Sequence, residues 1–302
     1  MDTMTKSRPI SARSPKRSPA RVIRIESGPN FGDGHAGPLA PFLIAWRQRS
    51  LLRRLVHRDI ELGFRGSALG KTWAVIAQLF MLTLYTVAFG VMIRPNWQSS
   101  ISSPAEIALI YFSGLIVFSF FFECINRAPS LMFENVSYVK KMVFPLEILA
   151  WVVLGGALFR MAIGIVLLSA FYLFDKGLPP ISVVIIPVFL ALLSLIAVGF
   201  VWLLSSLSVY LRDIRHIILV LTPAFMFLTP VFFPVSAAPK MAQGVLYANP
   251  LTFILEGVRS ALFQGLWPNW FGLAVYATFA CLFSWISYRV FMKLRAGFAD
   301  VI

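Results

Sequence analysis

Charge is what this sequence has least of. Of 302 residues only 13% are charged, and only 13 are Asp or Glu against 27 Lys or Arg. A soluble domain carries about 25% charged residues. With 58% of its residues hydrophobic, a water-soluble chain of this size would leave large apolar patches exposed. That excludes a soluble enzyme and leaves a polytopic membrane protein. Cysteine and histidine are scarce too. Cys124 and Cys281 lie in or beside apolar segments, and His35, His57 and His216 are scattered. No disulfide framework and no metal site is expected from them. Gly-x-Ser-x-Gly, His-Glu-x-x-His and acidic clusters are absent, so the sequence offers no group that would make or break a covalent bond.

One string imitates a phosphate-binding loop. Gly66-Ser67-Ala68-Leu69-Gly70-Lys71-Thr72 ends in Gly-Lys-Thr, but three residues separate the glycines where the loop needs four. No strand precedes it and an apolar span follows, so it reads as a small-residue elbow.

The net charge of +14 suits either nucleic acid or an anionic membrane surface, and the apolar spans decide for the membrane. Residues 1–40 hold Arg13-Ser-Pro-Lys-Arg-Ser-Pro-Ala-Arg21 and then a Gly/Pro-rich stretch, with little to bury. They are expected to be a disordered basic cytoplasmic tail, either touching lipid headgroups or simply solvated. Residues 41–71 are expected to form an amphipathic helix. Leu51, Leu52, Leu55, Val56 and Ile60 make its apolar stripe, flanked by Arg49, Arg53, Arg54, His57 and Arg58. Such a helix either lies in the membrane interface or packs on a partner subunit.

Residues 72–302 form the expected membrane domain. Crossing about 30 Å of hydrocarbon takes about 20 residues, which places six spans at 72–93, 105–125, 146–174, 182–210, 217–233 and 269–292. The fifth is short and interrupted by Pro223 and Pro230, so a kink or break is expected. Residues 246–267 are too polar for a lipid-facing span and too apolar for a loop, which predicts a re-entrant or interface-lying helical pair. The fold class is therefore all-α and membrane-integral. Placing the N-terminus inside leaves only Arg94, Lys176, Lys240 and Arg259 outside. Apart from Arg160 within the third span, every other Lys and Arg then falls on the inner face, so both termini are expected in the cytoplasm.

Ionisable residues at membrane depth are costly and rare. Arg160 either faces a wet pathway and an anionic group or pairs inside the bundle. Glu256 and Arg259, three apart, would neighbour each other on a helix, as a local salt bridge or as part of an outer gate with Asn249. Aromatics make up 15% of the chain, with Phe118 and Phe121 in one dense run. Most suit lipid contact; a subset lining a channel would stack on sugar faces.

In order along the chain, four groups of residues resemble the membrane subunit of ABC-2-type polysaccharide exporters, the family that exports O-antigen, capsule or teichoic acid. They are Arg65-Gly66-Ser67-x-Leu69-Gly70-x-x-Trp73 with Tyr85 and Phe89-Gly90; Val139-Lys140-Lys141-x-x-Phe144-Pro145-x-Glu147; Tyr210-x-Arg212-Asp213-Ile214 with Thr229-Pro230-Val231 and Pro234; and Asn249-Pro250 with Arg259 and Gly265. The resemblance covers residues 42–302 and departs at Ala77-Gln78, where a proline often stands. It implies a permease with no ATPase of its own, working as two copies with two copies of a separate ABC ATPase that holds ATP and Mg. The permease chain itself would bind no cofactor. The substrate implied is a polyprenyl-diphosphate-linked glycan, at the bacterial inner membrane. Mapped onto this chain, the resemblance puts a channel or its entrance at Arg65, Trp73, Tyr85, Phe89, Phe118, Phe121 and Arg160. ATPase docking falls on Arg54, Arg58, Val139, Lys140, Lys141, Phe144, Arg212 and Asp213, and the outer gate on Asn249, Glu256 and Arg259. Two other readings stay open: an ABC-2-type permease for a drug or small amphipathic molecule, and a membrane-embedded transferase acting on a lipid-linked sugar.

Overall fold

The computed structural model describes residues 40–66, 69–88, 104–140 and 144–302. The expectations for the basic tail, Phe89, Lys141 and the end of the first span lie outside them.

Among the described residues all regular structure is helical. In order, these are α1 (Ala40–Arg47), α2 (Arg49–Gly63), α3 (Thr72–Tyr85), α4 (Pro104–Arg127), α5 (Leu131–Glu134), α6 (Val136–Val139), α7 (Ile148–Lys176), α8 (Ile186–Tyr210), α9 (Ile214–Phe227), α10 (Lys240–Ala248), α11 (Pro250–Arg259), α12 (Trp270–Arg295) and α13 (Phe298–Val301). A chain this apolar can satisfy its backbone inside a bilayer only within helices or a closed barrel.

Four stretches are long and apolar enough to cross a membrane: Ala105–Glu134, Ile148–Lys176, Ile181–Tyr210 and Trp270–Arg295. The chain is a multi-pass membrane protein. The other two expected spans appear as shorter apolar helices, Thr72–Ala88 and Ile214–Phe227. α9 carries Pro223 and stops at Leu228, short of the expected end at 233. Pro230 cannot donate a backbone N–H to continue it.

The core runs between α4, α7, α8 and α12. Phe189, Leu193, Ile196, Val201 and Trp202 of α8 are fully enclosed, and α12 packs along this helix. Side-chain contacts fix how the helices lie against each other. At one end Arg127 closes α4, Glu147 precedes α7, and Tyr210 and Arg295 close α8 and α12. Arg295 pairs with Glu147 at 2.7 Å, and the Tyr210 hydroxyl donates to the Leu294 carbonyl at 2.8 Å. At the opposite end Lys176 pairs with Glu106 at 2.7 Å.

The amphipathic helix departs from the expected picture. It is two helices, and the stripe read as lipid- or partner-facing packs on its own chain: Leu55 and Ile60 are buried, and Leu55 clusters with Ile148 and Val152 of α7. Gly155 and Gly156 permit the approach. A Cβ on Gly155 would stand 2.6 Å from a Val56 methyl, and one on Gly156 2.7 Å from Asp59 Oδ2.

Candidate functional site

Three polar assemblies interrupt the apolar bundle. The first is at the α2 end. Arg127 donates to both carboxylate oxygens of Asp59, at 2.9 and 2.6 Å, a bidentate pair that ties α2 to α4. Arg58 donates to the Tyr138 hydroxyl at 2.6 Å and lies over its ring. The other face of the story at Tyr138 is Phe144, whose ring stacks on it at 4.4 Å. Arg295 donates to the Phe144 carbonyl at 3.0 Å while it holds Glu147, whose carbonyl accepts from the Trp202 indole at 3.0 Å. Arg58 and Phe144, expected from separate segments to be docking residues, thus meet on one tyrosine. Val139 is buried beneath them and Lys140 points outward. Arg54, Arg212 and Asp213 are exposed and hold no ion pair among the described residues.

The second assembly is deeper in the membrane helices. Arg160 is bound to Glu123 by two contacts, Nε to Oε2 at 2.7 Å and Nη2 to Oε1. Of the two readings left open for Arg160, the structure shows the paired one. This pair adjoins the first: the space over Gly156 is bordered by Asp59, by Arg127 Nη1 at 3.4 Å and by Arg160 Nη2 at 3.5 Å. Two cations and one carboxylate therefore border a position that only glycine can occupy without moving them.

The third assembly holds the connector that follows α9. Residues 229–234 are not helical, so inside a bilayer their backbone groups need partners from elsewhere. Asn249, Glu256 and Arg259, the residues expected at an outer gate, bond to the connector and to its two ends. Asn249 caps α11, accepting from Leu251 N at 2.9 Å, and donates to Thr229 Oγ1 at 2.8 Å and the Leu228 carbonyl at 3.2 Å. Glu256 accepts from Val235 N at 3.0 Å. The buried Arg259 donates to the Pro230 carbonyl at 2.6 Å and to the Val231 carbonyl. Glu256 and Arg259 do not form the salt bridge expected from their spacing; each turns instead to the connector, whose unsatisfied backbone outbids a local pair. Gly114 of α4 makes room, since a Cβ there would stand 2.7 Å from Arg259 Nη2 and 3.3 Å from the Val231 carbonyl. Past Arg259 the chain makes a π-helical turn, Ser260–Gln264, ending at a left-handed Gly265.

The channel residues scatter. Tyr85 joins the third assembly, because Phe232 of the connector lies between Tyr85 and Tyr111 at 6.0 and 5.9 Å. Phe118 and Phe121 are buried within the bundle, each against Phe122. Arg65, at the elbow before α3, and Trp73, in the first turn of α3, are exposed. Sequence reasoning missed Asp59, Glu123, Gly114, Gly156 and the Glu147–Arg295 pair. The usable signal was the scarcity of acids, since each carboxylate near a span must find a cation.

The family profile described as ABC-2 type transporter matches residues 50–263, from the start of α2 into the π-helical turn. The chain is 23% identical over 259 residues to the O-antigen export system permease protein RfbA of Myxococcus xanthus, with 85% of this chain and 97% of that protein covered. It is 20% and 21% identical over 259 residues to two O-antigen export system permease proteins RfbA of Klebsiella pneumoniae, covering 83% of this chain and 95% of each.

Proposed function

The chain belongs to the ABC-2 type transporter family, and on that premise we propose that it is the permease subunit of an ATP-driven exporter of a lipid-linked polysaccharide, of O-antigen or capsule type. The observation that carries this reading is the match to an O-antigen export permease along 97% of that protein's length. A family of this kind works with an ABC ATPase. Here ATP and Mg would bind on that separate chain, in two copies, with two copies of the permease. The assembly at the α2 end supports docking there: Arg58 and Tyr138 join α2, α6 and Phe144 in one surface, with Arg54 and Lys140 on its exposed side.

In this proposal residues 1–40 are a cytoplasmic tail, 41–71 an amphipathic element and 72–302 the membrane domain. It crosses the bacterial inner membrane six times, with both termini inside. α3 and α9 are the two short crossings, and residues 246–267, with the end of α10, α11 and the π-helical turn, form the re-entrant element. The connector clamped by Asn249, Glu256 and Arg259 closes the outer end of the path, while basic residues at the inner face meet the diphosphate of the glycan carrier.

Deleting the gene in its native bacterium tests the reading. Surface polysaccharide is expected to disappear while lipid-linked polymer accumulates inside, and re-expression of the chain is expected to reverse both. Unchanged surface polymer would overturn the reading.

A further inference from the structure

A cavity of about 270 Å³ lies between α4, the C-terminal half of α7, the start of α8 and the π-helical turn after α11. On α7 its wall runs from Ile165 to Leu173, about 12 Å at 1.5 Å per residue. The hydrocarbon of one leaflet is about 15 Å deep. The slot lies along the helices, as a lipid chain does. Leu173 is one turn from the Lys176–Glu106 ion pair, which marks that end as the headgroup boundary.

The wall is mostly apolar, and two of its three hydroxyls are already committed as donors. Ser113 donates its hydroxyl to the Ile110 carbonyl at 2.7 Å, and Tyr172 donates to the Leu262 carbonyl at 2.9 Å. Leu168, Val183, Ile186 and Leu190 are among the apolar side chains that supply the rest. A cavity without polar partners does not hold ordered water but accepts apolar guests. The mouth lies at Ser169, Leu173 and Pro179, all exposed. Around it Val166, Phe174, Ile181 and Val184, on stretches that cross a membrane, and Leu178, in the turn between them, are 66–94% exposed. Hydrocarbon chains are what stands outside it.

We propose that this slot binds one acyl chain of a bilayer phospholipid, entering from the leaflet on the Lys176 side. The floor of the slot gives the site a consequence. Val258 and Leu262 flank Arg259 on either side, so the bound chain packs against the turn that clamps the connector. The inference rests on the membrane-spanning fold and not on the export reading, and its test needs no transport.

The test is photo-crosslinking of the full chain in lipid nanodiscs, using a phosphatidylethanolamine with a diazirine midway along one acyl chain. Adducts are mapped to residues by mass spectrometry. Adducts are expected on Leu168, Val258 and Leu262 as well as on exposed Val166 and Phe174. Ser169→Phe, at an exposed mouth position that tolerates bulk, is expected to remove the floor adducts and leave those on Val166. Adducts confined to exposed residues, or floor adducts unchanged in Ser169→Phe, would overturn the proposal. So would floor adducts displaced by undecaprenyl phosphate, which would give the slot to a carrier chain instead.

Discussion

Arg259 brings a positive charge into the bundle, and two backbone carbonyls receive it; no ion pair to it occurs among the described residues. Its role follows from what it satisfies. Without it the Pro230 and Val231 carbonyls would lack partners in a low-dielectric setting, and a hydrogen bond to a charged group is worth roughly 1.5–3 kcal/mol. Arg259→Gln is therefore expected to raise amide exchange in peptide 228–236 by about tenfold or more while membrane insertion is kept. Glu256→Gln, which retains an acceptor for Val235 N, is expected to change it far less. Equal exchange in Arg259→Gln and the parent chain would contradict the clamp. Asp59 and Arg127 invite a different measurement, because each is under one-third exposed. Asp59→Ala alone is expected to cost about 3 kcal/mol, the lower end of breaking a buried pair. Asp59→Ala with Arg127→Ala is expected to cost clearly less than the two single changes together, read from unfolding in detergent. Simple additivity would show that the pair contributes nothing. Glu256 and Arg259 were legible in the sequence as charges at membrane depth. Their partners were not, because backbone groups of a non-helical connector leave no mark in residue identity.

Among the elements, the long helices were legible and their seats were not. The third, fourth and sixth spans expected at 146–174, 182–210 and 269–292 match Ile148–Lys176, Ile181–Tyr210 and Trp270–Arg295 to within three residues. Unbroken apolar composition and end charges suffice to place such helices. α9 came out shorter, running through Pro223 but ending before Pro230, which removes a backbone donor that composition does not count. The seat of α2 was hidden in two glycines of an ordinary-looking span, and only the three-dimensional approach of Val56 and Asp59 gives them meaning. Gly155→Leu is expected to lift α2 from α7 and to speed tryptic cleavage at Arg53 and Arg54 severalfold, with α7 still inserted. Cleavage at the parental rate would show that α2 is held by something other than this seat.

For the whole molecule, α3 and α9 stand apart from the rest. α9 buries no residue, and Ile217, Val220 and Phe227 are among its exposed apolar side chains. On α3, Trp73, Phe80 and Leu84 are exposed as well. If two copies meet along these helices, as the proposed function requires, Val220→Cys in a Cys281→Ser background is expected to form a disulfide-linked dimer in membranes, while Val184→Cys remains monomeric. Equal yields from both positions would remove α9 from the interface.

That this permease works with a separate ATPase on a lipid-linked glycan can be met by one measurement. The full chain is co-expressed with its candidate ABC ATPase, purified in detergent and assayed for ATP hydrolysis with and without lipid-linked glycan. A stable complex is expected, with hydrolysis that changes when glycan is added and with binding weakened by Lys140→Glu with Lys141→Glu. A chain that binds no ATPase, or a complex whose hydrolysis ignores the glycan, would contradict it.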